Sequence, residues 1–317
     1  MAVDKEKKKA LGIVGAKVLR EMRAYFDNEG FLEVVVPHIT AGLGACENID
    51  TMFELNKHYF GKPTYLSQTG QLFLEELVPV FGKVWCQGPS FRAETSVYER
   101  HLSEFWLVEF EFTGSFDQLL TYIEELLKQV VANVTKSARS EFLSLGIDLE
   151  RLNSLRRPFP RIRYEEAIKI LNKDWGGDLT SEDEKRLVNL NRNTPIFVTH
   201  HPIEMKFFNM KNNESDPRVV NSADLILPYS GEAVGAAERE YRFDILYQKL
   251  LNSRMFQQLQ AKGTKLEAFD RYFDSIKERG VPHAGGGIGL NRIIQYLLGE
   301  QDIRRATMFP INKESLL

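Results

Sequence analysis

The chain has 317 residues with 43% hydrophobic side chains, and its 41 basic and 44 acidic residues give a formal net charge of −3. This composition is typical of a globular chain with a sizeable core, and it excludes an intrinsically disordered protein and a disulfide scaffold. The two cysteines, Cys46 and Cys86, stand too far apart for a structural zinc site, and no apolar run is long enough to span a bilayer, so we expect a cytoplasmic protein without a membrane segment.

The first part of the chain predicts one helix and then several strands. Apolar residues recur with the 3.6-residue period of a helix from Lys5 to Asn28, and Gly30 stops that helix. Segments rich in β-branched and aromatic residues follow, bounded by Gly, Pro and charged turns, and they predict strands at residues 31–37, 65–66, 84–86 and 105–112.

The remainder of the chain predicts helices with strands between them. Ser115 and Gln118 form a capping box that opens a helix reaching to about Phe142. Further helices are predicted at residues 165–171, 182–190, 242–259 and 292–298, and strands at 196–199, 205–210 and 223–227. Because strands and helices come in blocks instead of alternating strictly, we predict an α+β fold with a largely antiparallel sheet.

The segment from Gly88 to Glu111 predicts two strands joined by a charged loop. Alternate residues of such a hairpin share a face, so Arg92 and Glu94 can lie opposite Phe105 and Glu109. An arginine fork suits a phosphate and an aromatic face can stack on a base, which favours nucleotide binding. The alternative is a surface hairpin with cross-strand ion pairs.

A glycine-rich run from His283 to Arg292 precedes an apolar helical segment. Glycines before a helix allow backbone N–H groups to approach a phosphate, and Arg292 in the first turn adds positive charge. The run lacks the glycine spacing of a dinucleotide fold, and a turn that packs a helix is its alternative interpretation.

Two carboxylates stand eight residues apart, Asp224 and Glu232, across a sequence typical of two strands and a tight turn. Such a hairpin brings both carboxylates together, as Mg²⁺ requires when phosphate oxygens complete its coordination, although solvated carboxylates are the alternative. The nearby Arg239, between Glu238 and Glu240, has a guanidinium fork that suits a carboxylate or an amide.

Taken in order, three segments resemble the signature motifs of class II aminoacyl-tRNA synthetases: Gly30-Phe31 with Pro37, Phe91 to Glu94 with Arg100 to Leu102 and Phe105, and Gly285 to Arg292. Four further segments resemble the aspartyl and asparaginyl branch, closest to an asparaginyl core: Gln68 to Phe73, Glu104 to Glu109, Phe197 to Thr199 with Pro202, and Asp224 to Glu232. The resemblance implies an antiparallel sheet flanked by helices and a homodimer formed through the first motif.

The resemblance also implies roles around ATP as substrate. Arg92 and Arg292 would be catalytic, with Arg92 on the α-phosphate, and His101 and Arg292 would hold the outer phosphates. Phe105 would stack on adenine, and Glu94 would lie beside the adenine or a metal. Fixed arginines suit this chemistry because attack of a carboxylate on the α-phosphate concentrates negative charge in the transition state.

The same resemblance implies a metal site and an amino-acid site. Asp224 and Glu232 would bind Mg²⁺, which stabilises developing phosphate charge. The amino-acid-binding residues would be Glu47 and Gln71 at the ammonium group, and Glu109, Arg239 and His283 around the side chain.

Only about 29 residues precede the first motif, where the tRNA synthetases of this family carry an anticodon-binding β-barrel. We therefore expect residues 1–317 to form a single catalytic domain, with a helical elaboration at about 115–190 and no anticodon-binding domain. Together with the net charge of −3, which offers nucleic acid no broad binding field, this favours an asparagine synthetase. Such an enzyme would convert aspartate, ATP and ammonia into asparagine, AMP and pyrophosphate through a β-aspartyl adenylate.

Two pocket residues favour asparagine as the activated amino acid. Leu74 stands where the aspartyl enzymes have Lys, and Glu109 where they have Asp, and both match the asparaginyl pattern. The alternative hypothesis is therefore an enzyme that activates asparagine for transfer to tRNA or another amine. A third hypothesis, a catalytically silent sensor of asparagine or ATP, is disfavoured because Arg92, Arg292 and both metal carboxylates are present.

Overall fold

The fold is organised around an eight-stranded sheet in the part of the chain that our computed structural model describes, residues 5–42 and 48–316. Its strand order is β1-β4-β5-β10-β9-β8-β7-β6, and β2 pairs separately with β3. The pairs β1–β4 and β6–β7 are parallel and the others in the large sheet are antiparallel. The strands are β1 (Leu32–Glu33), β2 (Ile39–Thr40), β3 (Tyr65–Leu66), β4 (Lys83–Phe91), β5 (Glu104–Phe112), β6 (Arg161–Arg163), β7 (Ile196–Thr199), β8 (Ser222–Leu227), β9 (Gly231–Glu238) and β10 (Ala284–Gly289).

Helices flank this sheet, as the predicted α+β fold requires. In chain order they are α1 (Lys5–Asn28), α2 (Lys57–Phe60), α3 (Gln71–Phe81), α4 (Phe116–Ser137), α5 (Arg139–Ser144), α6 (Tyr164–Leu171), α7 (Ser181–Leu190), α8 (Phe243–Leu251), α9 (Arg254–Ala261), α10 (Asp270–Arg279) and α11 (Leu290–Leu298). The largely antiparallel sheet and its helices confirm the predicted α+β fold class.

The two faces of the sheet are covered differently. On one face, α1, α4 and α11 pack against Trp85, Phe110 and Ile288 in a continuous apolar core. On the other face, α3 and α8 to α10 bury a second apolar cluster that includes Phe208, while α6 and α7 bury a third that includes Ile226. A cavity lies on this second face, between the two groups of helices.

Several element predictions are confirmed with shifted ends. The predicted first helix agrees with α1, and the hairpin of strands β4 and β5 agrees with the predicted strand, loop and strand. The predicted helix from 115 breaks at Ala138 into α4 and α5. The predicted helix 242–259 is two helices, because the Ser253 side chain accepts a hydrogen bond from the backbone N–H of Phe256 and starts α9 as a new helix.

Other predictions are wrong. Residues 205–210 form no strand but a 3-10 turn and a loop, which places both Phe207 and Phe208 in one apolar cluster instead of on opposite faces. Of the predicted strand 31–37, only Leu32–Glu33 pairs. The glycine-rich run, expected to be a loop or turn before a helix, is the strand β10 within the sheet, and α3 and α10 were not predicted. The strand β9 is the second strand of the hairpin expected around Asp224 and Glu232.

No helix among residues 5–42 and 48–316 is both long enough and apolar enough to cross a membrane.

Candidate functional site

The cavity has a volume of about 1260 Å³, and its floor is one row of paired residues across the sheet. From β5 to β8 this row is Glu109, Gly287, Gly235 and Asp224. The two glycines carry no side chain between the two carboxylates, so a ligand can approach the backbone closely there. Glu109 and Asp224 thus stand at opposite ends of an open groove.

The hairpin of β4 and β5 places an arginine and an aromatic ring together at the cavity. Arg92 follows the last residue of β4, and its backbone N–H donates to the Ser103 carbonyl at 2.8 Å. The Arg92 guanidinium carbon lies 5.4 Å from the centre of the Phe105 ring. Both side chains line the cavity together with Glu94, so the predicted grouping of an arginine, an acid and an aromatic ring is present in the structure.

Positive charge is concentrated where the third motif meets the hairpin loop. Arg292 lies in the first turn of α11, and its guanidinium donates to the backbone carbonyls of Ser230 and Arg100. Burial and the neighbouring Arg100 charge lower the pKa of Arg292 to about 10. Burial, Arg292 and Arg92 lower the pKa of His101 to about 4. Cations that repel one another in this way favour an anionic ligand such as a triphosphate.

An ion pair beside these cations was not predicted. Arg100 donates hydrogen bonds to Ser181 and Glu184 at the beginning of α7. Burial raises the pKa of Glu184 to about 7, although the Arg100 charge opposes this shift. Nothing in the polar sequence of α7 distinguishes Glu184 from its acidic neighbours, so the pair depends on tertiary structure alone.

The carboxylates of Asp224 and Glu232 approach each other over Gly235 on the β8–β9 hairpin. A Cβ atom placed on Gly235 would lie 3.5 Å from Glu232 Oε1 and 4.0 Å from Asp224 Oδ1. The Glu232 side chain is exposed to the open cavity, but many protein atoms lie around it. Desolvation by these atoms and the Asp224 charge raise the pKa of its carboxyl group. Two adjacent carboxylates of this kind fit a divalent cation that also takes oxygen ligands from phosphate.

Asp224 already has two protein partners. Lys206 Nζ lies 3.0 and 2.8 Å from the two carboxylate oxygens, and His201 Nε2 lies 3.1 Å from Oδ2. Burial lowers the pKa of His201 well below its ordinary value, so the imidazole is neutral. Among the residues that the structure describes, no cluster of three or more His, Cys, Asp or Glu forms a complete metal site. A metal ion bound here would need further ligands, such as phosphate oxygens.

At the opposite end of the groove, Arg239 is enclosed by acids. Its Nε lies 2.9 Å from Glu111 Oε1 and 3.8 Å from Glu75 Oε1, and Nη2 donates to the Gly285 carbonyl at 3.0 Å. Burial opposes its charge, but Glu111 and Glu75 raise its pKa. Glu111 was not predicted, although it stands two residues after Glu109 on β5 and therefore shares its face.

Glu109 and Gln71 lie on the cavity wall next to this arginine. The Glu109 carboxylate accepts hydrogen bonds from the Thr69 hydroxyl and, at 2.8 Å, from the Gly70 backbone N–H. Burial raises the pKa of Glu109 in spite of these bonds. The Gln71 side chain donates to Glu111, so this end of the cavity joins residues from α3, β5 and β9.

The structure places His283 behind the cavity wall, and Glu47 is outside the residues that it describes. His283 does not line the cavity but lies behind Arg239, where its Nε2 is 3.4 Å from Glu75 Oε2 and its Nδ1 is 2.7 Å from the Val281 carbonyl. Burial opposes protonation of His283, yet Glu75 raises its pKa. Glu47 lies outside the described residues, as does Cys46, whereas Cys86 is a buried free thiol.

Comparison with known families and proteins gives one consistent result. A family model described as tRNA synthetases class II (D, K and N) matches residues 1–313. A protein of Koribacter versatilis (strain Ellin345) named asparagine–tRNA ligase is 32% identical over 320 residues, which cover 97% of this chain and 69% of that protein. A protein of the same name from Thermococcus gammatolerans is 36% identical, covering 94% of this chain and 67% of its own length.

Solved structures give the same result in three dimensions. The asparaginyl-tRNA synthetase of Pyrococcus horikoshii in complex with asparaginyl-adenylate matches 98% of this chain and 70% of its own with a TM-score of 0.88 and 34% identity. The Entamoeba histolytica asparaginyl-tRNA synthetase, also in complex with asparaginyl-adenylate, matches 98% of this chain and 68% of its own with a TM-score of 0.82 and 29% identity.

Proposed function

Because the chain belongs to the class II tRNA synthetases of the D, K and N type, an ATP-dependent ligase family, we propose that it activates asparagine as asparaginyl-adenylate and transfers it to tRNA. The names of its relatives support this second hypothesis over the asparagine synthetase that its sequence first favoured. The chain aligns with about two thirds of the length of those relatives.

The observation that carries the choice of asparagine is the charge around Arg239. This guanidinium is paired with Glu111 and lies near Glu75, while Glu109 adds a third carboxylate on the wall. Leu74, where the aspartyl enzymes have Lys, carries no charge and is fully buried in the apolar cluster of α3 and α8 to α10. An incoming β-carboxylate would add negative charge beside three acids, whereas a neutral carboxamide would not.

The proposed chemistry uses the two ends of the groove. The α-carboxylate of asparagine attacks the α-phosphate of ATP, a new oxygen–phosphorus bond forms, and the bond to pyrophosphate breaks. Arg92 would stabilise the charge that grows on the α-phosphate, and Arg292 with His101 would hold the outer phosphates. Phe105 would stack on the adenine, and Glu94 lies on the same wall. A hydroxyl of the tRNA terminus then attacks the activated carbonyl and displaces AMP.

We propose that Asp224 and Glu232 hold Mg²⁺ together with phosphate oxygens. When bound, the ion would neutralise phosphate charge during pyrophosphate departure. Lys206 would keep the Asp224 carboxylate in place, since it contacts both of its oxygens. Glu47 and Gln71 remain our candidates for the ammonium group, and the role of Glu47 is a proposal from sequence alone.

The test is amino-acid-dependent ATP–pyrophosphate exchange with Mg²⁺, run in parallel with asparagine and with aspartate. We expect exchange with asparagine, and charging of tRNA with labelled asparagine. Exchange with aspartate alone, followed by asparagine formation when ammonium is added, would overturn the proposal in favour of an asparagine synthetase.

Arg92→Ala is the variant that separates an enzyme from a sensor. We expect it to lose exchange by roughly a hundredfold or more, because removal of one preorganised donor to a developing charge has that effect. Arg254→Ala, on the surface helix α9, is the matched control and should retain full exchange. No exchange in the wild-type protein with either amino acid would instead support the silent sensor.

A further inference from the structure

Asn209 lies at the amino-acid end of the cavity, and neither the sequence motifs nor the resemblance singled it out. The residue lies in the cavity wall and is 0% exposed. Its neighbour Met210 forms a β-bridge with Arg239, and its own carbonyl accepts a hydrogen bond from the Glu240 N–H at 2.8 Å. The backbone of Asn209 is therefore fixed beside Arg239.

The orientation of the Asn209 carboxamide follows from its contact with Glu75. The Nδ2 amide donates to Glu75 Oε1, and the Tyr272 hydroxyl donates to Glu75 Oε2 at 2.7 Å. Burial opposes ionisation of Glu75, yet His283 and Arg239 lower its pKa, so it is a carboxylate that only accepts. The nitrogen of Asn209 must face Glu75, and the oxygen must face away from it.

The Asn209 Oδ1 atom is buried and has no hydrogen-bond partner. A buried acceptor without a donor is unfavourable by about 1–3 kcal/mol, so such an atom in a cavity wall indicates a ligand donor. A carboxamide side chain supplies an N–H donor and a carbonyl acceptor, and the guanidinium of Arg239 beside it suits the carbonyl. A carboxylate supplies no donor.

We propose that Asn209 is a specificity-determining residue, whose Oδ1 accepts a hydrogen bond from the side-chain amide of the bound asparagine. The proposal rests on asparagine being the activated amino acid and adds a residue to its recognition. It gives the site a group that rejects aspartate, because two oxygens with lone pairs would face each other and Oδ1 would lose its donor.

The test compares asparagine with the β-methyl ester of aspartate, which keeps the side-chain carbonyl but has no N–H donor. Both are measured in pyrophosphate exchange with the wild-type protein, with Asn209→Ala and with Asn252→Ala, an exposed asparagine at the end of α8 that serves as the matched control. We expect Asn209→Ala to raise the KM for asparagine roughly ten- to a hundredfold, while the KM for ATP stays the same.

The decisive quantity is the preference for asparagine over the ester. We expect Asn209→Ala to reduce this preference by about tenfold and Asn252→Ala to leave it unchanged. An equal loss of kcat/KM for asparagine and for the ester would assign Asn209 a structural role only. That result would overturn the inference, while the proposed activation of asparagine would stand. Wild-type exchange with aspartate but not asparagine would instead overturn the proposed function.

Folding of the variants is checked by thermal denaturation. If Asn209→Ala does not fold, Asn209→Ser takes its place, since a hydroxyl can still donate to Glu75. The same loss of preference is expected, and an undiminished preference for asparagine in this variant would overturn the inference.

Discussion

At the scale of single residues, the two ends of the cavity differ in charge. Arg92, Arg292 and the neutral imidazole of His101 lie at one end beside the Arg100–Glu184 ion pair, and Arg239 is surrounded by acids at the other. The pKa shifts follow this difference, since burial and neighbouring positive charge lower the pKa of Arg292 and of His101, whereas burial raises the pKa of Glu109. A phosphate therefore fits the first end and a neutral polar side chain the second.

Arg292→Gln should lower kcat/KM for pyrophosphate exchange by roughly a hundred- to a thousandfold, because it removes a fixed charge at the phosphates. The measurement is steady-state exchange at saturating asparagine with varied ATP. The control is Gln257→Ala, because Gln257 is exposed, whereas Gln295 on α11 itself is buried. Retention of full activity by Arg292→Gln would remove this residue from the catalytic set.

His101 should titrate far below its ordinary pKa of 6.5, at about 4, in the protein without ATP. As pH falls from 6.5 towards 4, the unfolded chain takes up a proton that the folded chain does not, so this group then lowers the free energy of unfolding. Above pH 6.5 it contributes nothing. The Cε1–H resonance of His101, assigned with His101→Asn, reports the pKa by NMR.

Binding of ATP adds negative charge beside His101 and should raise its pKa. The same resonance, followed with saturating ATP and Mg²⁺, is the measurement. A pKa near 6.5 without ATP, or no upward shift with ATP, would contradict the position that we assign to the triphosphate.

At the scale of elements, β10 explains how a strand of glycines can form the centre of the sheet. Gly285 lies against its neighbours so closely that an added Cβ would be 2.1 Å from the Phe110 carbonyl oxygen and 2.3 Å from the Glu111 carboxyl carbon. At Gly287 the nearest atom to an added Cβ is Glu109 Cγ, at 3.5 Å. The first glycine allows close packing, and the second leaves the cavity floor open.

Gly285→Ala should therefore lower the free energy of unfolding by about 1–3 kcal/mol or more, as overpacking does. Gly287→Ala is the matched control, because its methyl group meets only ordinary van der Waals contacts. Urea denaturation of both variants is the measurement. Equal stability of the two would show that the packing around Gly285 relaxes freely.

The same strand shows why the sequence predicts some elements and not others. The helix α1 and the β4–β5 hairpin have the apolar period or alternation of their type, and both are predicted. The run from Ala284 to Gly289 has almost no side chains, so no alternation can identify a strand. The segment after Pro202 has apolar residues but takes its conformation from tertiary contacts such as that of Lys206 with Asp224.

In the candidate site, too, the sequence predicts local groupings and not contacts between distant parts of the chain. Residues within one motif, such as Arg92 and Phe105 or Asp224 and Glu232, could be grouped from the sequence because one hairpin joins each pair. The Arg100–Glu184 pair and the contact between Glu75 and Asn209 join distant parts of the chain, and no local pattern records them. Local sequence patterns therefore grouped the residues around Arg92 and Asp224 more completely than those around Arg239.

At the scale of the whole molecule, the first motif presents apolar side chains to solvent. Val35 is 98% exposed, and Leu32 and Ile39 are 46% and 50% exposed. An apolar strip of this kind is typical of an interface. It supports the homodimer that the resemblance implies, and we propose that the dimer forms through this motif.

Val35→Asp should shift the protein from dimer to monomer, because a charge would be buried in the interface. Sedimentation velocity at micromolar concentration is the measurement, and Leu190→Asp, at an exposed position on α7, is the control. A wild-type protein that sediments as a monomer would contradict the proposed dimer without affecting the assignment of the cavity.

Direct identification of the enzyme-bound product is the most direct test of our proposal that this cavity forms asparaginyl-adenylate. The protein is incubated with ATP, Mg²⁺, inorganic pyrophosphatase and equal concentrations of asparagine and aspartate, then quenched, and the adenylate is identified by its mass. We predict asparaginyl-adenylate as the predominant product. Aspartyl-adenylate in its place, or no adenylate at all, would contradict the proposed function.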